Sequence, residues 1–447
     1  MLRRDLLAKT AALVSSPLAF PAVVRCANPN SFLQVACIGV ARMGGNTMRS
    51  VSQHPKVRIV ALCDLDARHM REGAREFRQA SQHTCWRQML ADHADEFDAV
   101  TIGTPDHMHA PMAVTALRQK KHVYLQKPMA PTIHECRVIA QESAKAGVVT
   151  QLGNQGRSSI DGRMMVELLR TKAVGPIKEV ILWENKPLNW WPENTRLRKR
   201  PDPVPEGLDW NGWVGVREER PYHAKTYHPQ TWRAWRDFGV GQLGDMGCHH
   251  FDSTMDGLGL AVPNRVCQTH TQEAGESLWA THRRVEFEFT GHEGNDRVQG
   301  NTLKLTWYDG DLLPDKSQIP LPKGMKEIPQ SGGLWVGTKG SIFKPYAVQP
   351  FVMPESSFPR ERYPRDLAPQ NHYHDWVDAI LGGRKACSDF EHAAKLTETV
   401  LVGTLAEHAA DQWLEWDRAA MHVTNVPEVN THVQRSYRDG WKIEGLG

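Results

Sequence analysis

The sequence predicts an α/β protein whose first part is a doubly wound parallel sheet. Short apolar runs alternate with helix-compatible segments over the first third of the chain, and a glycine turn follows the first run. Such alternation requires parallel strands joined by helical crossovers. At 447 residues the chain is too long for one ordinary hydrophobic core, so two domains are expected.

The glycine turn indicates a dinucleotide site. The first apolar run spans residues 33–38 and stops at Gly39. Gly39, Ala41 and Gly44 take the three positions of a G-x-G-x-x-G/A fingerprint, with alanine in the middle. The first position permits the turn, the second lets backbone approach a pyrophosphate, and the third lets helix pack on strand. The predicted contacts are Gly39, Ala41, Arg42, Met43 and Gly44.

A second apolar run, residues 57–63, ends at Asp64, about 20 residues past the turn, as dinucleotide-binding folds require. A carboxylate there accepts hydrogen bonds from ribose hydroxyls and repels a 2′-phosphate. The sequence therefore favours NAD over NADP, although Arg68 nearby leaves NADP open. The alternative is that Asp64 is a solvated residue at a strand end.

Further strands are predicted at residues 97–103, 122–125 and 148–152. Thr132 and Glu135 form a capping box that starts a helix between the last two. Residues at the carboxyl ends of such strands face the ligand. The predicted cofactor contacts here are Thr104, Pro105, Asp106 and His109, and further along Gln126, Asn154 and Gln155. A histidine at a helix start can equally make local hydrogen bonds, so that alternative stays open for His109.

The chain begins Met-Leu-Arg-Arg-Asp-Leu-Leu and continues with a short, weakly apolar stretch. This resembles a twin-arginine export signal, and an ordinary amphipathic helix or Sec signal is the alternative. The leader is assigned to residues 1–28, and the protein is expected to be periplasmic or otherwise exported by the twin-arginine machinery. That system moves folded proteins, and free nicotinamide cofactor is scarce outside the cytoplasm. The cofactor is therefore expected to bind before export and to stay bound.

Charge and hydropathy exclude two classes of partner. Charged residues make up 23% of the chain, the formal net charge is +3, and no lysine- or arginine-rich block occurs, so nucleic acid is not an expected partner. No apolar stretch of about 18 residues follows the first thirty positions, so no membrane span is expected in the mature protein. The eight cysteines lack a C-x-x-C pair or a zinc spacing, and disulfides stay open.

Two further motifs are more specific. Gln126, Lys127 and Pro128 end a predicted strand, and residues 241–249 read G-x-L-x-D-x-G-x-H. With the glycine turn, these motifs make the chain resemble the glucose-fructose oxidoreductase, inositol dehydrogenase and rhizopine catabolism protein family (Gfo/Idh/MocA). The segment 371–406 also resembles the C-terminal helix region of that family. The family motif has glutamate where this chain has Gln126.

The resemblance implies a Rossmann domain, assigned to residues 29–153, followed by an α/β domain over residues 154–447. In the family, an open, mainly antiparallel sheet in the second domain forms the substrate floor and often an oligomer interface, so a homo-oligomer is expected. Strand-like alternation over residues 281–309 and 334–343 agrees with this outline.

The motif positions imply the catalytic residues Lys127, Asp245 and His249. On a helix, Asp245 and His249 share a face because they are four residues apart. His249 would accept the hydroxyl proton as hydride leaves carbon, Asp245 would orient the imidazole, and Lys127 would stabilise the developing alkoxide. The alternative for Asp245 and His249 is an ordinary pair on a helix surface. The alternative for Lys127 is a lysine at a strand end whose head group reaches solvent. In the family motif a glutamate precedes the lysine, and its carboxylate can hold the lysine charged. Gln126 has no such charge, so this part of the family mechanism is in doubt here.

A metal is not expected, since His249 and His250 point about 100° apart on a helix. The substrate side is rich in aromatic residues, which either cover sugar rings or belong to the core. These are Trp190, Trp191, Trp210, Trp213, Tyr222, Tyr227, Trp232 and Trp235. The predicted substrate contacts are Arg157, Tyr227, Trp235 and Arg236.

Three functions remain open at this point. The first is a dehydrogenase for a sugar, sugar derivative or polyol, with tightly bound NAD or NADP. The second is a redox-neutral glycosidase, because some proteins resembling this family hydrolyse glycosides by oxidation, elimination, hydration and reduction. The third is a non-catalytic sugar-binding protein, because a fold does not fix a function.

Overall fold

The computed structural model describes residues 32–185, 200–272, 275, 277–291, 293–356 and 358–447. The predicted leader, residues 1–28, lies outside the described residues, as do Trp190 and Trp191. Within the described ranges, no helix combines the length and apolar character needed to cross a membrane.

Six parallel strands form the first sheet, in the order β3-β2-β1-β4-β5-β6. The strands are β1 (Leu33–Ile38), β2 (Val57–Cys63), β3 (Ser81–His83), β4 (Ala99–Ile102), β5 (His122–Gln126) and β6 (Thr150–Gly153). The helices between them are α1 (Arg42–Ser52), α2 (Ala67–Glu76), α3 (Trp86–Asp92), α4 (His109–Arg118) and α5 (Ile133–Ala146). The strand order reverses between β1 and β4, which is where ligands bind in sheets of this kind.

The predicted elements of this sheet are confirmed. The runs 33–38 and 57–63 coincide with β1 and β2, whereas β4 is shorter than the predicted 97–103. The Thr132 side chain accepts a hydrogen bond from the Glu135 backbone N–H and so caps α5. Strand β3 was not predicted because it has three residues, Ser-Gln-His, without an apolar pattern.

The second sheet has nine strands, in the order β13-β12-β11-β7-β10-β9-β8-β14-β15. They are β7 (Ile177–Glu184), β8 (Arg265–Gln272), β9 (His282–Thr290), β10 (Thr302–Asp309), β11 (Ser331–Gly337), β12 (Ser341–Pro345), β13 (Phe351–Met353), β14 (Leu414–Asp417) and β15 (His422–Val423). Strands β7 and β10 pair in parallel, and the other neighbours pair antiparallel. The predicted fold class, a doubly wound parallel sheet followed by an α/β domain with an open, mainly antiparallel sheet, is confirmed.

Five helices of the described residues follow β6 in the chain: α6 (Ile160–Arg170), α7 (Trp210–Val214), α8 (Gly241–Leu258), α9 (His372–Gly382) and α10 (Phe390–Leu405). Helix α8 packs between α6 and α10. A Cβ atom on Gly247 would lie 2.8 Å from Val400 Cγ1 of α10, so this glycine permits the close helix contact. Trp335 Nε1 of β11 donates to Thr254 Oγ1 of α8 at 2.9 Å. The position of α8, and of the predicted catalytic residues on it, is therefore fixed by packing on two sides.

The last part of the chain returns to the first sheet. Trp376 and Ile380 of α9 pack in one buried cluster with Val35, Met48 and other residues of the first sheet and α1. Near the C-terminus, Arg435 Nη2 and the Tyr437 hydroxyl lie 2.7 and 2.5 Å from Glu135 Oε1 on α5. The core of the N-terminal half is thus completed by residues more than two hundred positions away.

Glu135 is buried and holds this C-terminal segment, so Glu135→Ala should destabilise the fold. It would leave the buried Arg435 guanidinium without its carboxylate, which typically costs about 3–5 kcal/mol. Glu76→Ala is the control, because Glu76 pairs with Arg49 on the surface and such pairs contribute about 0–1 kcal/mol. Urea unfolding measures both. Equal losses of the free energy of unfolding in the two variants would contradict the importance of this contact.

Candidate active site

A cavity of about 450 Å³ opens at the carboxyl ends of β1, β2, β4 and β5, against α8 and the loops before it. We call it the interdomain cavity. From the N-terminal half its walls include Gly39, Ala41, Arg42, Met43, Asp64, Thr104, Pro105, Asp106, Gln126, Lys127 and Gln155. From the C-terminal half they include Trp213, His228, Trp232, Arg233, Asp245, Met246, His249 and Tyr346. Most of the predicted cofactor residues and all three predicted catalytic residues therefore line one cavity.

The glycine turn closes tightly at the entrance to α1. Gly39 has φ +79°, and a Cβ atom there would lie 2.7 Å from the Gly103 carbonyl oxygen. A Cβ atom on Gly44 would lie 2.1 Å from the Gly39 carbonyl oxygen, so Gly44 supports the turn from behind. Ala41 has φ −113°, an ordinary conformation for any residue, which explains why alanine is tolerated in the middle position. Backbone N–H groups at the start of α1 are available for phosphate oxygens.

Two carboxylates follow β2. Asp64 Oδ2 accepts from the Val40 N–H and Oδ1 from the Asp66 N–H, each at 3.0 Å, so Asp64 is held against the glycine turn. Arg68 donates to both oxygens of Asp66 at 3.0 and 2.6 Å. Although burial opposes it, these hydrogen bonds lower the pKa of Asp66. Because Asp66 already neutralises Arg68, this end of the cavity suits an unphosphorylated ribose and favours NAD.

A compact charged group lies deeper in the interdomain cavity. Lys127 Nζ is 2.8 Å from Asp245 Oδ1 and also donates to the Asp245 carbonyl oxygen at 3.1 Å. Arg233 Nε lies 3.5 Å from the same carboxylate oxygen. Asp106 is buried beside them, and burial, reinforced by Asp245, raises its pKa well above the usual range. Its Oδ2 has no hydrogen-bond partner among the described residues, so a protonated Asp106 could donate to a bound ligand.

The surroundings of Lys127 explain how glutamine can replace the glutamate of the family motif. Gln126 Nε2 donates to Thr47 Oγ1 at 2.7 Å in a buried position. The carboxylate that balances Lys127 comes instead from Asp245. His249, one turn further along α8, lies with its ring centroid 6.1 Å from that of Tyr346. The predicted orientation of His249 by Asp245 stays a prediction, since the contact described for the Asp245 carboxylate is with Lys127 and Arg233.

Two predicted cofactor residues lie behind the cavity wall. The ring nitrogens of His109 are 2.8 and 2.9 Å from the carbonyl oxygens of Pro128 and Thr104. Burial lowers the pKa of His109 to about 4, and the neutral ring, which carries one N–H, donates to one of these two carbonyl oxygens at a time. Asn154 Nδ2 donates to the Cys248 carbonyl and to Asp252, and so connects the end of β6 with α8. For both residues, cofactor contact remains a prediction.

The predicted substrate residues are spread over three places. Arg157 pairs with Asp252 in a neighbouring cavity. Tyr227 and Trp235 are buried against each other, with ring centroids 4.9 Å apart. Arg236 pairs with Glu407 at 2.6 Å. Arg157 and His249 both line the neighbouring cavity. Tyr227, Trp235 and Arg236 are not among the residues that line the interdomain cavity.

Sequence reasoning missed Arg233 and Tyr346, whereas Trp213 was among the aromatic candidates on the substrate side. Arg233 lies in the short turn Thr231–Ala234, three positions before the predicted Arg236. The two arginines cannot be distinguished by composition or spacing, because tertiary packing decides which one reaches Asp245. Tyr346 follows β12 and enters the site only because β11 and β12 form a hairpin beside α8.

The side chains considered for a metal have other partners. His250 Nε2 is 3.0 Å from Glu184 Oε2, and Asp252 pairs with Arg157. Among the residues described, no three histidine, cysteine or carboxylate side chains come together as a metal site. The described cysteines are free thiols.

The strand order, the glycine turn and the lysine–aspartate pair beside it define a dinucleotide-binding oxidoreductase. Two family descriptions match this chain: "Oxidoreductase family, NAD-binding Rossmann fold" over residues 33–154 and "Oxidoreductase family, C-terminal alpha/beta domain" over residues 167–298. Together they cover more than half of the chain. The protein belongs to the Gfo/Idh/MocA family, and its first sheet is the NAD-binding domain of that family.

Curated relatives match over part of their length. The chain is 28% identical over 182 residues to a glycosyl hydrolase family 109 protein of Shewanella pealeana, covering 38% of this chain and 39% of the relative. It is 28% identical over 152 residues to an inositol 2-dehydrogenase of Rubrobacter xylanophilus, covering 32% and 41%. The chain thus spans about two fifths of these relatives, so their activities enter only as support for a proposal.

Solved structures are similar over nearly the whole fold. GenD2 from gentamicin A biosynthesis, in complex with NAD, has a TM-score of 0.60 at 17% identity, covering 87% of this chain and 97% of the other. The WlbA dehydrogenase from Bordetella pertussis, in complex with NADH and UDP-GlcNAcA, has a TM-score of 0.57 at 13% identity, covering 86% and 99%. These similarities show a common fold.

The position of Asp64 predicts which dinucleotide is preferred. Asp64→Asn should weaken NADH binding about tenfold, because a hydrogen bond to a charged acceptor becomes one to a neutral acceptor. NADPH binding should weaken less or improve, since the charge that repels a 2′-phosphate is gone. Asp92→Asn, at the exposed end of α3, is the control for the charge change. Fluorescence titrations with both cofactors give the ratio, and an unchanged ratio in Asp64→Asn would show that this carboxylate does not select the cofactor.

Proposed function

We propose that the protein transfers hydride between tightly bound NAD and a hydroxyl-bearing carbon of a sugar, sugar derivative or polyol. The observation that carries the proposal is the Lys127–Asp245 ion pair, in the same cavity as the glycine turn and His249. A cation, a carboxylate and an imidazole are the groups that alcohol oxidation needs beside a hydride acceptor.

The residues present fit NAD. The glycine turn leaves room for backbone to approach a pyrophosphate, Asp64 would hold the ribose, and the orphaned Oδ2 of Asp106 can pair with a ligand group deeper in the cavity. NAD, when bound, would supply the hydride acceptor. His249 would take the hydroxyl proton as the hydride leaves the substrate carbon, Lys127 would stabilise the developing alkoxide, and Asp245 would keep the Lys127 ammonium in place.

Similar proteins of known activity support a saccharide-like substrate. Its curated relatives include an inositol 2-dehydrogenase, and its structural neighbours include an aldose-aldose oxidoreductase from Caulobacter crescentus in complex with glycerol. Paired charges and aromatic rings around His249 also suit a neutral, hydroxyl-rich ligand.

A redox-neutral glycosidase is the second candidate, favoured by the similarity to glycosyl hydrolase family 109 proteins. In such a reaction the bound NAD is reduced and reoxidised within one turnover. Hydrolysis of chromogenic glycosides without added cofactor, and without net formation of NADH, would assign the protein to this second class. Net formation of NADH from a free sugar would assign it to the first.

Both candidate functions require tightly bound NAD, and purification without added cofactor tests this requirement. The denatured protein should release about one equivalent of NAD(H), identified by absorbance and mass spectrometry, since the cofactor is proposed to be tightly bound. An empty protein that also fails to bind added NAD or NADP would overturn the proposal and favour a non-catalytic sugar-binding protein.

Two isosteric substitutions test the charged group. Asp245→Asn should lower kcat by about a hundredfold or more, because it removes the counter-charge of Lys127 at the reacting hydroxyl. Asp106→Asn should lower kcat by about fivefold at most, because a neutral carboxyl is replaced by another neutral donor. Bound NAD is measured in both variants to separate binding from turnover. Equal losses in the two variants would contradict the charge states assigned here.

His249→Ala should retain NAD and lose turnover, by about a hundredfold or more for the loss of a general base. The loss should be smallest at high pH, where hydroxide and the alcohol itself assist proton removal. Normal turnover by His249→Ala at neutral pH would eliminate His249 as the base.

A further inference from the structure

A second cavity of about 640 Å³ adjoins the interdomain cavity. Three residues, Gln155, His249 and Tyr346, belong to the walls of both. The second cavity extends from them between α6, α8 and the β11–β12 hairpin. The proposed general base therefore stands where the two spaces meet, and a ligand that reacts at His249 can extend into the second one.

The volume of the second cavity is that of a ligand site. Small-molecule sites typically measure about 300–1,000 Å³. NAD and the reacting carbon are already accounted for in the interdomain cavity, so this additional space is available to a part of the substrate that does not react.

The charges in the second cavity are balanced. Among the described lining residues, the cations Arg157, Arg163, Arg170 and Lys344 stand with the carboxylates Asp161, Glu167, Asp252 and Asp256. Lys344 Nζ is 2.7 Å from Asp161, and Arg157 lies 2.9 Å from both Asp252 and Asp256. An anionic ligand at Lys344 or Arg157 would have to displace these carboxylates from their partners. A neutral ligand with many hydroxyl groups can donate to the carboxylates and accept from the cations without breaking the pairs.

An aromatic ring stands at the junction of the two cavities. Tyr346 is 41% exposed, although its ring packs with centroid distances of 6.1 Å to His249 and 5.2 Å to His250. An exposed aromatic side chain beside hydroxyl-binding groups offers the apolar face on which a sugar ring packs. Trp335 adds a second aromatic side chain to the wall.

We propose that the second cavity binds the non-reacting ring of a neutral saccharide whose reacting ring lies at His249. The substrate class is accordingly a disaccharide or a glycoside with a ring-sized aglycone. This inference rests on the proposed function, because it assumes that a saccharide reacts at His249.

Filling the cavity tests the proposal. Ser253 lies one turn after His249 on α8, and Val166 lies on α6; both line the second cavity and neither is fully buried. Ser253→Phe and Val166→Trp place bulk in it from two walls, while Ser253→Ala removes the hydroxyl without adding bulk. The probes are neutral disaccharides (cellobiose, maltose, lactose, melibiose), the methyl glycosides of their component sugars, and the corresponding aldobiouronic acids. Reduction of bound NAD, release of a monosaccharide and calorimetric binding are measured on the NAD-loaded protein.

The wild-type protein should prefer one neutral disaccharide over its component methyl glycosides by roughly tenfold to a hundredfold in kcat/KM, the range that extra contacts in a pocket supply. Both bulky variants should remove most of this preference, with bound NAD and methyl glycoside turnover retained, and Ser253→Ala should keep it. Equal kcat/KM for one-ring and two-ring probes in the wild type, or a preference for the acidic probes, would overturn the inference while leaving the proposed function standing. If no probe reacts or binds although NAD is present, the proposed function fails as well.

Discussion

A buried ion pair between the two halves of the molecule, Lys127 with Asp245, determines what the site can do. Lys127 follows the last residue of β5, and Asp245 lies in the second turn of α8. Pairing buried charges contributes little net stability but penalises arrangements that separate them. The pair therefore fixes how the helix carrying His249 approaches the strand ends of the NAD-binding sheet. The same contact therefore relates the cofactor-binding strand ends to His249, the proposed proton acceptor.

That contact depends on packing far from the site. Helix α8 lies between α6 and α10, and its close approach to α10 requires Gly247. The NAD-binding sheet in turn depends on α9 and on the Arg435–Glu135 contact from the end of the chain. The NAD-binding half is thus not completed by its own stretch of sequence, and the geometry between Lys127 and His249 depends on packing contacts from both halves of the chain.

The parts of the fold and site that the sequence predicted are those whose residues lie close together in the sequence. The strand–turn–helix unit at Gly39 and the cap at Thr132 are local in sequence, so their patterns predicted the observed elements. The pairing of Lys127 with Asp245 could be expected only through the family motifs, because 118 positions separate the two residues. Arg233 could not be distinguished from Arg236 by any local pattern, since both are arginines in one aromatic segment and only tertiary packing directs one of them to Asp245.

The two cavities differ in their charge balance, and the difference fits the two roles proposed for them. In the interdomain cavity Lys127 and Arg233 both lie against the Asp245 carboxylate, and burial raises the pKa of Asp106 well above its usual range, which disfavours a second negative charge there. This balance favours a positive field at the place proposed for the developing alkoxide. In the second cavity the described lysine and arginine side chains are matched in number by carboxylates, so the lining carries no large excess of either charge. A site that recognises only hydroxyl groups is best served by paired charges, which present donors and acceptors side by side, whereas a site that stabilises a transient anion requires an excess of positive charge, which the raised pKa of Asp106 favours.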